Sequence, residues 1–123
     1  ECNPLVAPHY IEIEKKYNPG LLPSIFVGDM NFYDSSEGYR IFSEWWQDAY
    51  KVLQSKGGTT GPRGTFNGFN LERDMTKAGR IDYIFFRGQV EPVHYVCDDS
   101  RQDGRYPSDH CPVYCDLKVF SEN

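Results

Sequence analysis

Three short, largely apolar runs, each with a carboxylate beside it, most restrict what this chain can fold into. The runs are residues 21–27, 81–86 and 112–120, and the acidic residues near their ends are Asp29, Asp82 and Asp109. Runs of this length are typical of strands, and the third alternates apolar with polar residues, as a strand with one buried face does. His110 directly follows Asp109, so the pattern predicts strand ends that carry both carboxylates and an imidazole. A further strand is predicted at residues 91–97.

Two helices complete the predicted elements. Residues 9–17 carry charged side chains at helical spacing and stop before a strong breaker at residues 18–20. Asp34 and Glu37 then resemble a capping box, which begins a second helix that ends at the two glycines after residue 56. The apolar residues of this helix recur at spacings of three and four, and they are Phe42, Trp45, Trp46, Ala49, Val52 and Leu53.

The composition suits one domain at most, without a membrane span. The 123 residues are 39% hydrophobic and 15% aromatic, which is enough for a single core. No stretch approaches the roughly 18 consecutive apolar residues of a transmembrane helix, so we expect a soluble segment. The formal net charge of −5 argues against a protein that mainly coats phosphate backbones, because such binding needs clustered lysine and arginine.

The four cysteines form no metal-binding pattern. Cys2, Cys97, Cys111 and Cys115 show no C-x-x-C spacing, and no pair of histidines supports a zinc site. If Cys111 and Cys115 lie on one strand, their sulfurs share a face but stand about 13 Å apart, too far for a disulfide. We therefore expect small buried thiols and a reducing compartment, the cytoplasm or the nucleus.

The residue types at the strand ends suit one kind of chemistry. A phosphate ester is anionic and repels hydroxide, so its hydrolysis needs a cation to draw charge from the phosphoryl oxygens and a base near the attacking water. Carboxylate and amide oxygens favour a hard ion, Mg²⁺ or Mn²⁺, and a carboxylate behind a histidine raises the basicity of the ring. The pattern therefore indicates metal-assisted hydrolysis of a phosphate ester.

Three motifs carry a resemblance to a known superfamily. They are Gly28-Asp29-Met30-Asn31, Arg80-Ile81-Asp82-Tyr83-Ile84-Phe85 and Ser108-Asp109-His110-Cys111-Pro112-Val113. In this order, each at a strand end, they resemble the C-terminal half of the endonuclease/exonuclease/phosphatase (DNase I-like) superfamily. The resemblance implies an α/β (α+β) fold, the C-terminal half of a four-layer α/β/β/α sandwich, with mainly one mixed or antiparallel sheet and helices on one face. Residues 1–123 would then form a single partial domain.

The resemblance also implies roles for individual residues. Asp29 and Asn31 resemble the pair that orients the attacking water and holds the phosphate or a second metal ion. Asp109, together with Asp29, resembles the metal-binding acids of the superfamily. His110 resembles the imidazole that contacts the scissile phosphate, and Asp82 resembles its carboxylate partner.

The acidic residues have structural interpretations as well. Asp29 and Asn31 suit an ordinary turn, in which the carboxylate accepts a hydrogen bond from its own backbone. Asp82 could instead pair with Arg80 at the surface. Taken singly these interpretations are as good as the catalytic ones, whereas the joint occurrence at three strand ends favours catalysis.

The glycine-rich segment at residues 57–68 has two interpretations. It is either a plain connector or a loop on the substrate side, in which Arg63, Phe66 and Asn67 face a ligand. The substrate that the superfamily implies is a phosphate ester. RNA, as in deadenylases, and DNA are candidates beside phosphoinositides.

The motifs of the superfamily's N-terminal half, which supply an asparagine, a glutamate and a histidine, are absent here. We therefore expect that a missing N-terminal half or a partner chain covers an exposed sheet face, and that these residues alone hydrolyse poorly. The alternative is a catalytically inactive remnant that serves as an interaction module. It would bind through this face and through Trp45 and Trp46. The two tryptophans are either large apolar side chains packed on a sheet or a platform on which bases stack.

Overall fold

The described part of the computed structural model, residues 6–120, contains six strands and three helices. The helices are α1 (Ala7–Tyr17), α2 (Glu37–Ser43) and α3 (Ala49–Gln54). The strands are β1 (Ser24–Asp29), β2 (Gln47–Asp48), β3 (Thr59–Thr60), β4 (Asp82–Arg87), β5 (Val90–Cys97) and β6 (Val113–Val119). Within this range, no helix combines the length and the apolar character needed to cross a membrane. Cys2 lies outside the described residues.

The strands divide between two three-stranded sheets, where the sequence predicts mainly one. The first sheet is antiparallel with the order β1-β4-β2, and the second has the order β3-β5-β6. Strand β4 is paired on both edges, by β1 and by β2. The next strand, β5, therefore finds no free edge on β4 and pairs with β6 instead. The α/β class is confirmed, with two small sheets in place of one main sheet.

The predicted long second helix is two short helices with a break between them. Residues 47–48 leave the helix and form β2, which pairs with Phe85 and Phe86 of β4. Asp48 then caps α3, because its Oδ1 accepts a hydrogen bond of 3.1 Å from the backbone N–H of Tyr50. An aspartate that binds the backbone in this way favours a helix start over a helix interior, which explains the break.

The cap of α2 also differs from the predicted one. Ser36 is the N-cap, and its Oγ accepts a hydrogen bond of 3.2 Å from the N–H of Tyr39. Asp34, which the sequence suggested as the cap, forms an ion pair of 2.8 Å with Arg63. The capping box was therefore wrong, because a long-range partner holds the aspartate away from the helix start.

Helices α1 and α2 cover one face of the first sheet with an aromatic core. The ring of Phe42 stacks on Phe85 with centroids 5.2 Å apart, and the ring of Trp46 stacks on Phe42 at 5.5 Å. Trp46 is buried, and Trp45 is half-buried with the guanidinium of Arg87 over its ring at 3.9 Å. Packing on the sheet is thus confirmed for Trp46, and its burial contradicts a base-stacking platform made by the pair.

A second core lies between the two sheets and holds two of the thiols. It includes Ile84, Phe86, Tyr95, Cys97 and Cys111. Burial raises the pKa of the Cys97 thiol to about 12, so this thiol stays uncharged. Cys115 is half-buried, and the three cysteines of the described residues are all free. The prediction of small buried thiols is confirmed for Cys97 and Cys111.

The space between the sheets is open to solvent along β1. Ile25 and Val27 stand directly opposite Phe86 and Ile84 in the antiparallel register, so all four share the face that packs on the second sheet. Ile84 and Phe86 are buried there, whereas Ile25 is 48% exposed and Val27 is 61% exposed. The second sheet therefore covers β4 but leaves β1 bare.

A buried arginine, Arg80, contacts residues of β2, α3 and β4. Arg80 is 1% exposed, and its Nη2 lies 2.7 Å from Oδ2 of Asp48. Its guanidinium also lies over the rings of Tyr50 and Tyr83, at 4.5 and 4.6 Å from their centroids. The same Oδ2 accepts a second hydrogen bond, of 2.9 Å, from the hydroxyl of Tyr39. Asp48 therefore neutralises a cation that the core has removed from water.

Candidate active site

Two carboxylates meet at one end of the first sheet. Asp29 is the last residue of β1 and Asp82 is the first residue of β4. The end of one strand and the start of its antiparallel neighbour lie at the same edge, and the register sets these two residues directly opposite each other. The structure thus brings together two acids that lie far apart in the sequence.

His110 lies within reach of both carboxylates. Its Nδ1 is 2.8 Å from Oδ2 of Asp82, and its Nε2 is 3.7 Å from Oδ2 of Asp29. Ligand atoms of these three residues all lie within 4.8 Å of one another. The imidazole is therefore oriented by one carboxylate while its other nitrogen faces a second carboxylate.

The surrounding acids favour the protonated form of His110. Partial burial lowers the pKa of His110, but the hydrogen bond and the charge of Asp82 raise it. The charges of Asp29 and Asp109 add to this effect, so the pKa lies above its usual value of 6.5. Nδ1 is the donor to Asp82, because an ionised carboxylate only accepts. The proton that His110 can lose is therefore the one on Nε2.

The two oxygens of Asp29 have different partners. Oδ1 accepts a hydrogen bond of 2.9 Å from the backbone N–H of Asn31, whose φ is 51°. Asparagine tolerates this left-handed conformation, and the turn interpretation of the pair is therefore correct. Oδ2 is the oxygen that faces His110. The turn leaves that oxygen available, so it is compatible with a role in chemistry.

Asp109 stands beside the cluster of Asp29, Asp82 and His110. Its carbonyl oxygen accepts hydrogen bonds of 2.8 Å from the N–H of Asn67 and 3.1 Å from the N–H of Gly68. Its side chain is half-buried, and its charge contributes to the raised pKa of His110. Its role as a metal ligand stays a prediction.

The surface ion pair considered for Asp82 does not form. Arg80 binds Asp48 in the core, and Asp82 binds His110. Arg80 precedes β4 and is 1% exposed in the core, whereas Asp82 is the first residue of the strand and lies beside His110. The structural interpretation of Asp82 is therefore wrong.

The residues predicted to face a ligand lie in three different environments. Phe66 borders the site, where its ring meets the ring of His110 edge to face with centroids 5.2 Å apart. Arg63 points elsewhere, since it pairs with Asp34 at 2.8 Å and donates to the carbonyl of Ala78 at 3.3 Å.

Asn67 is the third of these residues, and its burial contradicts the prediction that it faces a ligand. The side chain is 0% exposed. Its Nδ2 donates a hydrogen bond of 2.9 Å to the carbonyl of Ser108, and its Oδ1 accepts one of 2.7 Å from the N–H of Phe69. An amide has two donors and an acceptor, and the protein uses them here to join two loops.

Thr65 is a buried residue of the site that sequence reasoning missed. Its Oγ1 accepts hydrogen bonds of 3.0 Å from the N–H of Ile81 and 3.2 Å from the N–H of Asp82. Its carbonyl accepts one of 2.7 Å from the N–H of Cys111, next to His110. Thr65 thus connects the start of β4 to the loop that carries the histidine. A lone threonine in a glycine-rich segment gave no signal for this role.

Replacing Thr65 with valine is expected to lower the free energy of unfolding by about 1–3 kcal/mol, because the shape is kept while two partly buried N–H groups lose their acceptor. Thr65→Ser keeps the hydroxyl and is the matched control, with a smaller expected loss. Urea unfolding followed by circular dichroism measures both. A valine variant as stable as the wild type would show that these two hydrogen bonds contribute nothing to stability.

The fold and the site define an α/β protein of two small sheets with an acid–base pair at the strand ends. Comparison with protein families identifies the family: the Endonuclease/Exonuclease/phosphatase family matches residues 8–110. The chain belongs to this family. A comparison with curated proteins found no match.

Solved structures of the same fold are about twice as long as this chain. An endonuclease/exonuclease/phosphatase from Bacteroides vulgatus is 27% identical with a TM-score of 0.81, over 95% of this chain and 44% of that one. A mannosyl-6-phosphatase from Bacteroides thetaiotaomicron is 28% identical with a TM-score of 0.68, over 94% and 43%. The human Nocturnin catalytic domain, solved with bound sulfate, shares the fold at 23% identity and a TM-score of 0.68, over 93% and 40%. The chain therefore spans less than half the length of these proteins.

Proposed function

We propose that this chain carries the aspartate–histidine part of the active site of a metal-dependent phosphoesterase. The observation that carries the proposal is the position of His110, at 2.8 Å from Asp82 and 3.7 Å from Asp29, where two neighbouring strands meet. Membership of a family named for nucleases and phosphatases supports the reaction class. The reaction is hydrolysis of a phosphate ester by water.

The side chains of the site have complementary tasks in this reaction. His110 donates from Nε2 to an oxygen of the scissile phosphate, and Asp82 keeps the ring oriented and positively charged. Asp29 accepts a proton from the attacking water through Oδ2, which its turn leaves available. The exposed amide of Asn31 orients that water or binds a phosphoryl oxygen.

A divalent cation, Mg²⁺ or Mn²⁺, suits the oxygens of this site. Asp29 and Asp109 are the residues that would hold it. In this proposal His110 is not counted among the ligands, because its Nδ1 is bonded to Asp82 and its Nε2 is assigned to the scissile phosphate. When bound, such an ion draws charge away from the phosphoryl oxygens.

We further propose that another segment, an N-terminal half or a partner chain, completes both the sandwich and the active site. The bare face of Ile25 and Val27 supports this, because it continues the face that β4 buries. The coverage of only 44% of the Bacteroides vulgatus structure supports it as well. Residues 6–120 supply one side of the proposed active site, so this chain alone is expected to hydrolyse phosphate esters slowly.

The substrate that we propose is a phosphorylated small molecule or a nucleic acid. The name of the mannosyl-6-phosphatase favours a sugar phosphate for this part of the family. The net charge of −5 also favours a small ester, because no excess of cations is present to bind a phosphate backbone. RNA and DNA are the competing substrates.

Binding of Mn²⁺, followed by electron paramagnetic resonance, tests the proposed metal site. The wild-type chain is expected to bind the ion, and Asp29→Asn and Asp109→Asn are each expected to weaken binding at least about tenfold. Asp116→Asn, on the exposed face of β6, is the control and should bind as the wild type does. Wild-type protein that binds no Mn²⁺ would contradict the proposal and favour the interaction module.

A further inference from the structure

Phe69 has a backbone conformation that is unfavourable for its side chain. Gly68 and Phe69 have φ values of 61° and 60°. The N–H of Asn70 donates a hydrogen bond of 3.0 Å to the carbonyl of Asn67. Two successive positive φ values closed by such a bond are the pattern of a type I′ turn, in which glycine or asparagine is favoured at the third position. A phenylalanine there is strained.

Another turn of the chain shows the favourable choice of residues. Asp103 and Gly104 have φ values of 50° and 73°. They are enclosed by hydrogen bonds of 2.8 and 3.0 Å between Gln102 and Arg105. An Asp-Gly pair is typical of this turn because glycine takes the third position without strain. The turn geometry alone therefore gives no reason for an aromatic residue at position 69.

Burial gives no reason for the aromatic residue either. The Phe69 side chain is 60% exposed. Among residues 6–120 its ring contacts no other aromatic ring and no cation, whereas Phe66 on the same segment contacts both His110 and Arg73. Strain at an exposed residue persists only where the surroundings hold it. Here the buried Asn67 does so, through the bond of 2.7 Å from the Phe69 N–H.

The strained turn borders the candidate active site. The N–H of Gly68 donates a hydrogen bond of 3.1 Å to the carbonyl of Asp109, the residue before His110. Asn67 is anchored to Ser108 in the same loop by its Nδ2. Phe69 follows Gly68 directly, so these hydrogen bonds hold its backbone beside the loop that carries the histidine.

We propose that Phe69 binds the substrate by stacking on an apolar ring face of the group attached to the phosphate. This inference rests on the proposed function and extends it to a substrate class, phosphate esters that carry a flat apolar face. A nucleobase and the apolar face of a pyranose both present that chemistry, and an aromatic side chain binds either by contact over the ring. The turn holds the ring in place before binding, which reduces the ordering cost of the complex.

Calorimetric binding of three phosphate monoesters in the presence of Mg²⁺ tests this inference. Glycerol 1-phosphate has no ring, mannose 6-phosphate has a pyranose, and AMP has a nucleobase. Phe69→Asn is expected to weaken at least one of the two ring ligands by about fivefold or more and to change glycerol 1-phosphate less than twofold. If Phe69→Asn weakens the binding of AMP alone, the ring that Phe69 contacts is a nucleobase. If it weakens the binding of mannose 6-phosphate alone, that ring is a pyranose.

Leu21→Asn is the matched control for the strain. Leu21 is also bulky and half-exposed with a φ of 58°, but it precedes the start of β1, whereas the site lies at the end of that strand. Asparagine tolerates positive φ, so both variants are expected to raise Tm, by about 2–4 °C. Only Phe69→Asn should combine higher stability with weaker binding of a ring ligand.

Two outcomes would overturn the inference, and they are distinguishable. If glycerol 1-phosphate binds and neither ring ligand is weakened by Phe69→Asn, Phe69 has no role in binding while the proposed function stands. If the wild-type protein binds Mn²⁺ but none of the three esters, the inference fails while the proposed metal site stands.

Discussion

Asp48→Asn is expected to lower the free energy of unfolding by about 3–5 kcal/mol, because Arg80 would keep its charge in the core without a carboxylate at hydrogen-bond distance. Arg80 is 1% exposed and its Nη2 lies 2.7 Å from Asp48. Asparagine keeps the shape and the helix cap, so the decrease in the free energy of unfolding measures the contribution of the Asp48 charge. The free energy of unfolding of a typical domain is about 5–15 kcal/mol, so the variant should be partly unfolded at moderate temperature. Urea unfolding followed by circular dichroism measures the change.

Asp34→Asn is the matched control for this prediction. Asp34 also faces Arg80, but at 3.6 Å and with 20% of its side chain exposed. Asp34→Asn also removes the ion pair of 2.8 Å with Arg63. Its cost is still expected to stay below about 1 kcal/mol, because Asp34 and Arg63 are both partly exposed. The double variant Asp48→Asn with Arg80→Met should recover much of the stability, because it removes the unpaired charge. Equal losses for the two single asparagine variants would contradict the assignment of Asp48 as the principal partner of Arg80.

Asp82→Asn is expected to lower the pKa of His110 and to reduce hydrolysis by about 10²–10⁴-fold, the usual contribution of acid–base catalysis. The amide keeps the size of the side chain but removes the charge that holds the ring protonated and oriented. Nuclear magnetic resonance titration of the His110 ring protons measures the pKa in the chain as it stands. Hydrolysis of p-nitrophenyl phosphate with Mg²⁺ measures activity, in the presence of the proposed completing segment.

Asp29→Asn is the control for the effect of Asp82 on the ring. Its oxygen lies 3.7 Å from Nε2, beyond hydrogen-bond distance, so its removal should lower the pKa of His110 by less. A pKa that is unchanged in Asp82→Asn would contradict the hydrogen-bonded pair.

The raised pKa of His110 also gives a pH dependence of stability. Because the pKa in the folded state lies above 6.5, the charged His110–Asp82 pair stabilises the fold fully below the unfolded-state pKa. The stabilisation is lost as the pH rises through the folded-state pKa. The stability difference between the wild type and Asp82→Asn is therefore expected to be larger at pH 5 than at pH 8.

Local patterns were sufficient for the strands that carry the site. The predicted runs at residues 81–86 and 91–97 correspond closely to β4 and β5, and the alternation in β6 matches its half-buried and exposed residues. A strand's side chains alternate wherever one face is buried, so the pattern is visible without a partner strand. The second predicted helix failed, because the β2 pairing and the bonds of Asp48 join residues far apart in the chain.

The family and the residue types of the candidate site are determined by the sequence, since the three motifs identify the family and supply Asp29 and Asp82 at strand ends and His110 in the loop before β6. Only the tertiary structure decided which of these groups meet. The register of β1 on β4 sets the two acids opposite each other, and the loop held by Thr65 brings the histidine to them. It also decided that Asn67 is buried, that Arg80 needs Asp48, and that β1 is left bare. Each of these depends on contacts between distant segments, whose energies depend on burial and distance and leave no local pattern in the sequence.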